Sequence, residues 1–247
     1  GVALMTMGNH EWNAICYATP HPEIDGTHLR SRDGHHAVQH QAFLADYDLD
    51  SSEHTDLVAW FRCLPLWLDL GGLRVVHACW SPADIALLAP YLSGGRVPDE
   101  LLHRGSTKHS PEYQAIENVL KGPELSLPDH LAYQDKENVP RHGARYRWWE
   151  QGPLTLRARA QAMPDMRDAK GNPHPGFDDR PITPPVADPD ISAGPIIVGH
   201  YWFTGTPAVL TPHVACVDYS AGKDGPLVAY RWSGEPTLSD DRFVAFG

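Results

Sequence analysis

Positive charge is in short supply in this chain. Its 247 residues carry 20 Lys and Arg against 31 Asp and Glu, a formal net charge of −11. A phosphate backbone attracts the opposite sign, so binding of a nucleic-acid duplex by long-range electrostatics is excluded. Cysteine is scarce too: Cys16, Cys63, Cys79 and Cys216 lie far apart and form no C-x-x-C pair. Their spacing excludes a zinc ribbon and a dense disulfide framework, and it suits a reducing, cytoplasmic compartment. No apolar run approaches the roughly 18 residues that a membrane span needs, so no membrane partner is expected. There is no internal repeat and no low-complexity tail.

What is present is enough apolar side chain, 42% of the residues, to build a substantial core. Residues 2–7 (VALMTM) read as a buried strand, and HEWNAICYA then shows helical spacing of apolar residues. HAVQHQAFLADY and SEHTDLVAWFRCLP predict two amphipathic helices, the second opened by Ser51 and Ser52 and stopped by Pro65. LWLDLGGLRVVHACW predicts a hairpin turning at Gly71-Gly72, and SPADIALLAPYL another helix. Eight of the 23 prolines fall between residues 164 and 195, which predicts a long irregular excursion. PIIVGHYW, VACVDYS and LVAYRW then predict three short strands. The order of elements leads us to expect an α/β fold in which two mixed β-sheets pack as a sandwich flanked by helices. A single domain is expected over residues 1–247, with a long irregular insert at about 93–194.

Three short motifs share one design, an apolar strand that ends in a residue able to bind a metal. They are LMTM-Gly8-Asn9-His10-Glu11, LRVV-His77 and IIV-Gly199-His200. Ligands at strand ends are held by rigid backbone while the loops beyond stay free for substrate. Two neutral imidazoles and an amide oxygen suit a borderline divalent cation such as Mn, Fe or Zn. Glycine before Asn9 and before His200 is expected to permit a tight turn and a close backbone approach.

MGNHE, LRVVHACW and IIVGHYW, followed by ACVDYSAGKDGPLVAYRW, resemble the calcineurin-like metallophosphoesterases. Within them the likeness is greatest to the branch of symmetrical diadenosine tetraphosphatases and Ser/Thr protein phosphatases. The resemblance covers residues 1–92 and 195–232 and leaves 93–194 unexplained. It implies that Asn9, His77 and His200 bind one metal of a binuclear pair of the Mn, Fe, Zn or Ni/Co class. It also implies that His10 is the general acid. Many members read Gly-His-x-His, whereas this chain has Trp202 at the second His, which favours the branch just named. The family's Asp-x-His and Gly-Asp-x-x-Asp-Arg-Gly motifs are expected ahead of GNHE and are not in this sequence. The chain therefore reads as N-terminally truncated, able to hold one of the two ions at most and to hydrolyse weakly or not at all by itself.

Phosphate-ester hydrolysis needs an activated water, charge neutralisation on the phosphoryl oxygens and a proton for the leaving group. Arg145 and Arg147 are the candidate phosphate contacts, with packing over Trp148 or Trp149 as the other reading. Tyr201 and Trp202 form either one wall of a base-stacking pocket or ordinary loop packing. Glu11 and Asp218 are read as supports behind the ligands, Asp218 alternatively as a turn residue. The expected partner is a small phosphorylated substrate, a dinucleoside polyphosphate or nucleotide, with a phosphoprotein as the alternative. A non-catalytic binding module on the same fold is the reading from a different class.

Overall fold

Residues 3–134, 139–163, 166–168 and 170–247 are described by a computed structural model. Its helices are α1 (Asn9–Ala18), α2 (Gly34–Asp46), α3 (Ser52–Phe61), α4 (Pro82–Leu88), α5 (Asp99–Ser106), α6 (Pro111–Lys121) and α7 (Leu156–Arg159). Several begin where hydroxyl side chains replace missing backbone partners. Ser51, Ser81, Ser110 and Thr155 each accept the N–H three residues on, opening α3, α4, α6 and α7. Pro82 and Pro111 follow their caps directly, where the lost N–H costs nothing.

The strands are β1 (Trp67–Asp69), β2 (Arg74–Val76), β3 (Glu124–Ser126), β4 (Tyr133–Gln134), β5 (Pro140–Arg141), β6 (Gly143–Arg145), β7 (Ile196–Val198), β8 (Val209–Thr211), β9 (Val214–Cys216), β10 (Leu227–Tyr230) and β11 (Phe243–Phe246). Five of them form a mixed sheet in the order β1-β2-β7-β9-β8. Its centre is parallel, β2 with β7 and β7 with β9, and its outer pairings are antiparallel. The pairs β3-β6, β4-β5 and β10-β11 are separate antiparallel ribbons. The chain is therefore mixed α/β. Among the described residues no helix is long and apolar enough to cross a membrane.

The hairpin, the helices and the three late strands lie where the sequence predicts them, but the opening strand does not. Residues 3–7 join no sheet, Leu4 and Met5 are exposed, and Val2 lies outside the described residues. A strand needs a ladder of partners; here Met7 makes one backbone bond, its N–H donating to Pro65 O at 2.8 Å. The proline-rich stretch contains, among its described residues, only a 3-10 turn at Ile191–Ala193 as regular structure before β7; Pro164 lies outside the description.

Met7, Ile15, Leu66, Val76, Leu101, Ile116, Val198 and Cys216 belong to one buried cluster between the sheet and α1, α5 and α6. All three residues of β9 are buried, as expected for an inner strand covered on both faces. The parallel pairing of β2 with β7 has a direct consequence for chemistry. It makes both strands end on the same rim, and the next residues are His77 and Gly199-His200. Carboxyl ends of parallel strands are where α/β sheets place ligands.

Candidate functional site

Asn9 is the first residue of α1, and its Oδ1 accepts from Nε2 of His77 at 3.0 Å. The helix start is thereby docked on the end of β2. Gly8 is required for that docking, though not for a turn: its φ of −102° is open to any residue. A Cβ there would lie 2.8 Å from Cε1 of His77 and 2.7 Å from Oε2 of Glu11. The glycine is needed because the imidazole lies against it. Glu11 closes the same corner by accepting the Gly8 N–H at 2.8 Å.

The next strand brings the second imidazole. Gly199 N–H donates to His77 O at 2.9 Å, continuing the β2-β7 ladder by one bond, and the His77 and His200 rings then stand edge-on with centroids 5.2 Å apart. His200 and Trp202 take left-handed conformations, φ +67° and +52°. Non-glycine residues in this region are strained, and such strain gathers at functional sites. Gly199 itself is not left-handed, and a Cβ on it would meet only ordinary contacts at 3.7 and 3.8 Å. The turn expected of the glycine is thus made by the histidine.

Arg145 reaches the pair from β6. Its Nη2 donates to Nε2 of His200 at 3.3 Å, and its guanidinium lies over the rings of Tyr201 and Trp202 at 5.7 and 5.4 Å. The Lys223 ammonium covers Trp202 at 4.9 Å. Burial, then the neighbouring Arg145, push the His200 pKa down to about 2, and burial also lowers that of His77. Both imidazoles are therefore neutral at physiological pH, the form a metal requires.

Of the residues the sequence nominates, Asn9, His77, His200, Glu11 and Arg145 come together. His10 is exposed one residue beyond Asn9. Arg147 is directed elsewhere, donating to Glu150 Oε1 at 3.0 Å and to Ala158 O. Tyr201 is only 1% exposed and is a structural post rather than a substrate wall. Its hydroxyl donates to Ala78 O at 3.0 Å and accepts from Trp148 Nε1 at 2.9 Å. Trp202, 45% exposed, is the more accessible ring of the two. Asp218 holds the loop and not a histidine ring, accepting from Trp202 N–H at 3.3 Å and from Ser220 N–H at 3.1 Å. Lys223 escaped the sequence reading, because nothing in AGKDG marks it as a neighbour of Trp202.

The donor set fits a borderline divalent cation. Among the described residues no group of three or more His, Cys, Asp or Glu could hold one. An ion here would take two imidazoles and complete its protein ligands with the Asn9 amide oxygen. Coordination through Nε2 of His200 would require the Arg145 guanidinium to release that nitrogen. No family model matches the chain, and no curated protein matches it.

Proposed function

We propose that this chain is the site-bearing part of a metal-dependent phosphoesterase of the calcineurin-like kind. Its strands would belong to a two-sheet sandwich, and its preferred substrate would be a dinucleoside polyphosphate or related nucleotide. The observation that carries the reading is the meeting of Asn9, His77 and His200 at one rim, with Arg145 against His200. Asn9, His77 and His200 would hold one of two divalent ions of the Mn, Fe, Zn or Ni/Co class. Bound there, such ions polarise a phosphoryl oxygen and lower the pKa of water.

The remaining chemistry falls to side chains of this chain. His10, exposed beside Asn9, gives its proton to the leaving oxygen as the P–O bond breaks and recovers one from solvent. Arg145 offers two parallel N–H groups to phosphoryl oxygens, supplying locally the positive charge that a −11 chain lacks overall. Trp202 offers a half-exposed ring for a base to pack on, and the cations at that ring favour an anionic nucleotide. This exposed, cation-flanked ring favours a nucleotide over a phosphoprotein.

The test is a Mn2+-supplemented panel of diadenosine tetraphosphate, p-nitrophenyl phosphate and a phosphoserine peptide. It is run on the protein at its natural length and on its His77→Ala and His10→Ala variants. Mn2+-dependent hydrolysis, strongest on the dinucleotide and lost in both variants, supports the reading. Hydrolysis that survives His77→Ala overturns the metal assignment. The 247-residue chain alone is expected to be weak or inactive, and brisk turnover of p-nitrophenyl phosphate by it would refute that.

A further inference from the structure

A second concavity lies apart from this rim. It is a cavity of ≈ 650 Å3 between the end of α1, the segment after it, α3 and α5. It adjoins Ala18, at the opposite end of α1 from Asn9 and about 14 Å along the helix axis. None of Asn9, His77, Arg145 or His200 lines it. Its size is within the range of small-molecule sites, which are mostly apolar with a few polar groups that fix orientation.

Pro20, Leu29, Val58 and Ala59 supply the apolar wall. The acidic residues of the lining are already matched by cations. Asp99 pairs with Arg62 at 2.6 Å, Glu100 with Arg104 at 3.2 Å, and Asp50 with Arg32 at 3.8 Å. Arg96 also lines the cavity, is exposed, and has no hydrogen-bond or ion-pair partner among the described residues. In the wall stands His54, 1% exposed, with its Nε2 buried and unpartnered.

We propose that this cavity binds a small organic anion with an apolar body. The body packs against Leu29, Val58 and Ala59, and the anionic head meets Arg96. The pairing of every lining carboxylate selects against a cation and leaves one guanidinium for the ligand.

Calorimetric titration with octanoate, 1-octanol and octylamine tests the proposal on the native protein. Octanoate is expected to bind saturably at one site, more tightly than octanol, with octylamine weakest. Arg96→Gln is expected to weaken octanoate about fivefold, to the level of octanol, while leaving octanol unchanged. Ala59→Trp, which fills the cavity, is expected to abolish both. Should Ala59→Trp lower the melting temperature, the Arg96→Gln comparison decides, because Arg96 is exposed and its loss leaves the core intact. On saturation the His54 ring nitrogens are expected to shift in a long-range 1H–15N spectrum. Absence of saturable octanoate binding, octylamine binding as tight as octanoate, or an unchanged octanoate affinity in Arg96→Gln would each overturn the proposal.

Discussion

The Nε2 of His77 and the Oδ1 of Asn9 stand 3.0 Å apart although 68 positions separate the two residues in the chain. Both atoms are of a kind that can ligate a metal, and the contact between them fixes the start of α1 on the end of β2. Asn9→Ala is therefore expected to weaken Mn2+ binding at least about tenfold, the scale on which even supporting residues of metal sites act. Loss of the partly buried hydrogen bond should cost the metal-free protein about 1 kcal/mol. Calorimetry with Mn2+ and a thermal melt without it measure the two effects separately. Unchanged Mn2+ affinity would remove Asn9 from the ligand set.

The two arginines of the aromatic segment should behave differently. Arg145 contacts His200, whereas Arg147 is taken up by Glu150 and Ala158. Arg145→Gln is expected to weaken phosphate binding in the presence of Mn2+ by about tenfold or more, the worth of a charge-assisted hydrogen bond. Arg147→Gln is expected to leave that affinity unchanged and to lower the melting temperature. Equal losses from both would contradict the division of roles.

Tyr201 and Trp202 are expected to split in the same way. Tyr201→Phe removes one of the two acceptors of Trp148 Nε1, which keeps Ala78 O at 3.2 Å, and should cost about 1 kcal/mol of stability with little change in nucleotide affinity. Trp202→Ala should leave the melting temperature nearly unchanged and weaken AMP binding by a stacking contribution of about 1–3 kcal/mol. Fluorescence titration with AMP, set beside melts of both variants, distinguishes them.

Part of the pH dependence is expected to originate away from the site. His40 of α2 is 7% exposed, stacks on Tyr17 and Phe43, and has an unpartnered Nε2. Burial, then the charges of His54, Arg30, Arg32 and His10, lower its pKa from 6.5 to about 4. The folded state thus resists a proton that the unfolded chain accepts. Stability is full above pH 6.5, and it falls as the pH drops toward 4, by on the order of 3 kcal/mol from this residue. His40→Phe is expected to reduce that slope in melts between pH 7 and pH 4, the remainder coming from the other buried histidines, His200 and His77 among them. An identical slope in the variant would place the effect elsewhere.

The parts of the site carried by short local motifs were legible from sequence. An apolar run followed by Asn9-His10, His77 or Gly199-His200 marks a strand or helix end wherever the rest of the chain goes. The approach of Arg145 was not legible, because it depends on β6 pairing with β3 across an irregular stretch and on that ribbon lying against the His200 turn. Arg147 looked equivalent to Arg145 because alternation says which face a residue shares and not which carbonyl will capture it. Tyr201 could be read as substrate wall or as loop packing because the run after His200 is aromatic throughout, and the burial that favours packing follows from Ala78 and Trp148, both distant in sequence. The burial of His40 and His54 was hidden by their polar neighbours. The opening strand failed because a run of apolar residues says nothing about whether a ladder partner lies alongside.

The left-handed backbone at His200 sets two selective pressures against each other. Glycine or asparagine would occupy φ +67° with less strain than histidine, so a search for thermostability alone would favour replacing it. That same replacement would delete one of the two imidazoles on the rim. Position 200 is thus where relief of backbone strain and retention of the proposed metal site pull apart, and a library sorted only by melting temperature would be free to lose the imidazole there.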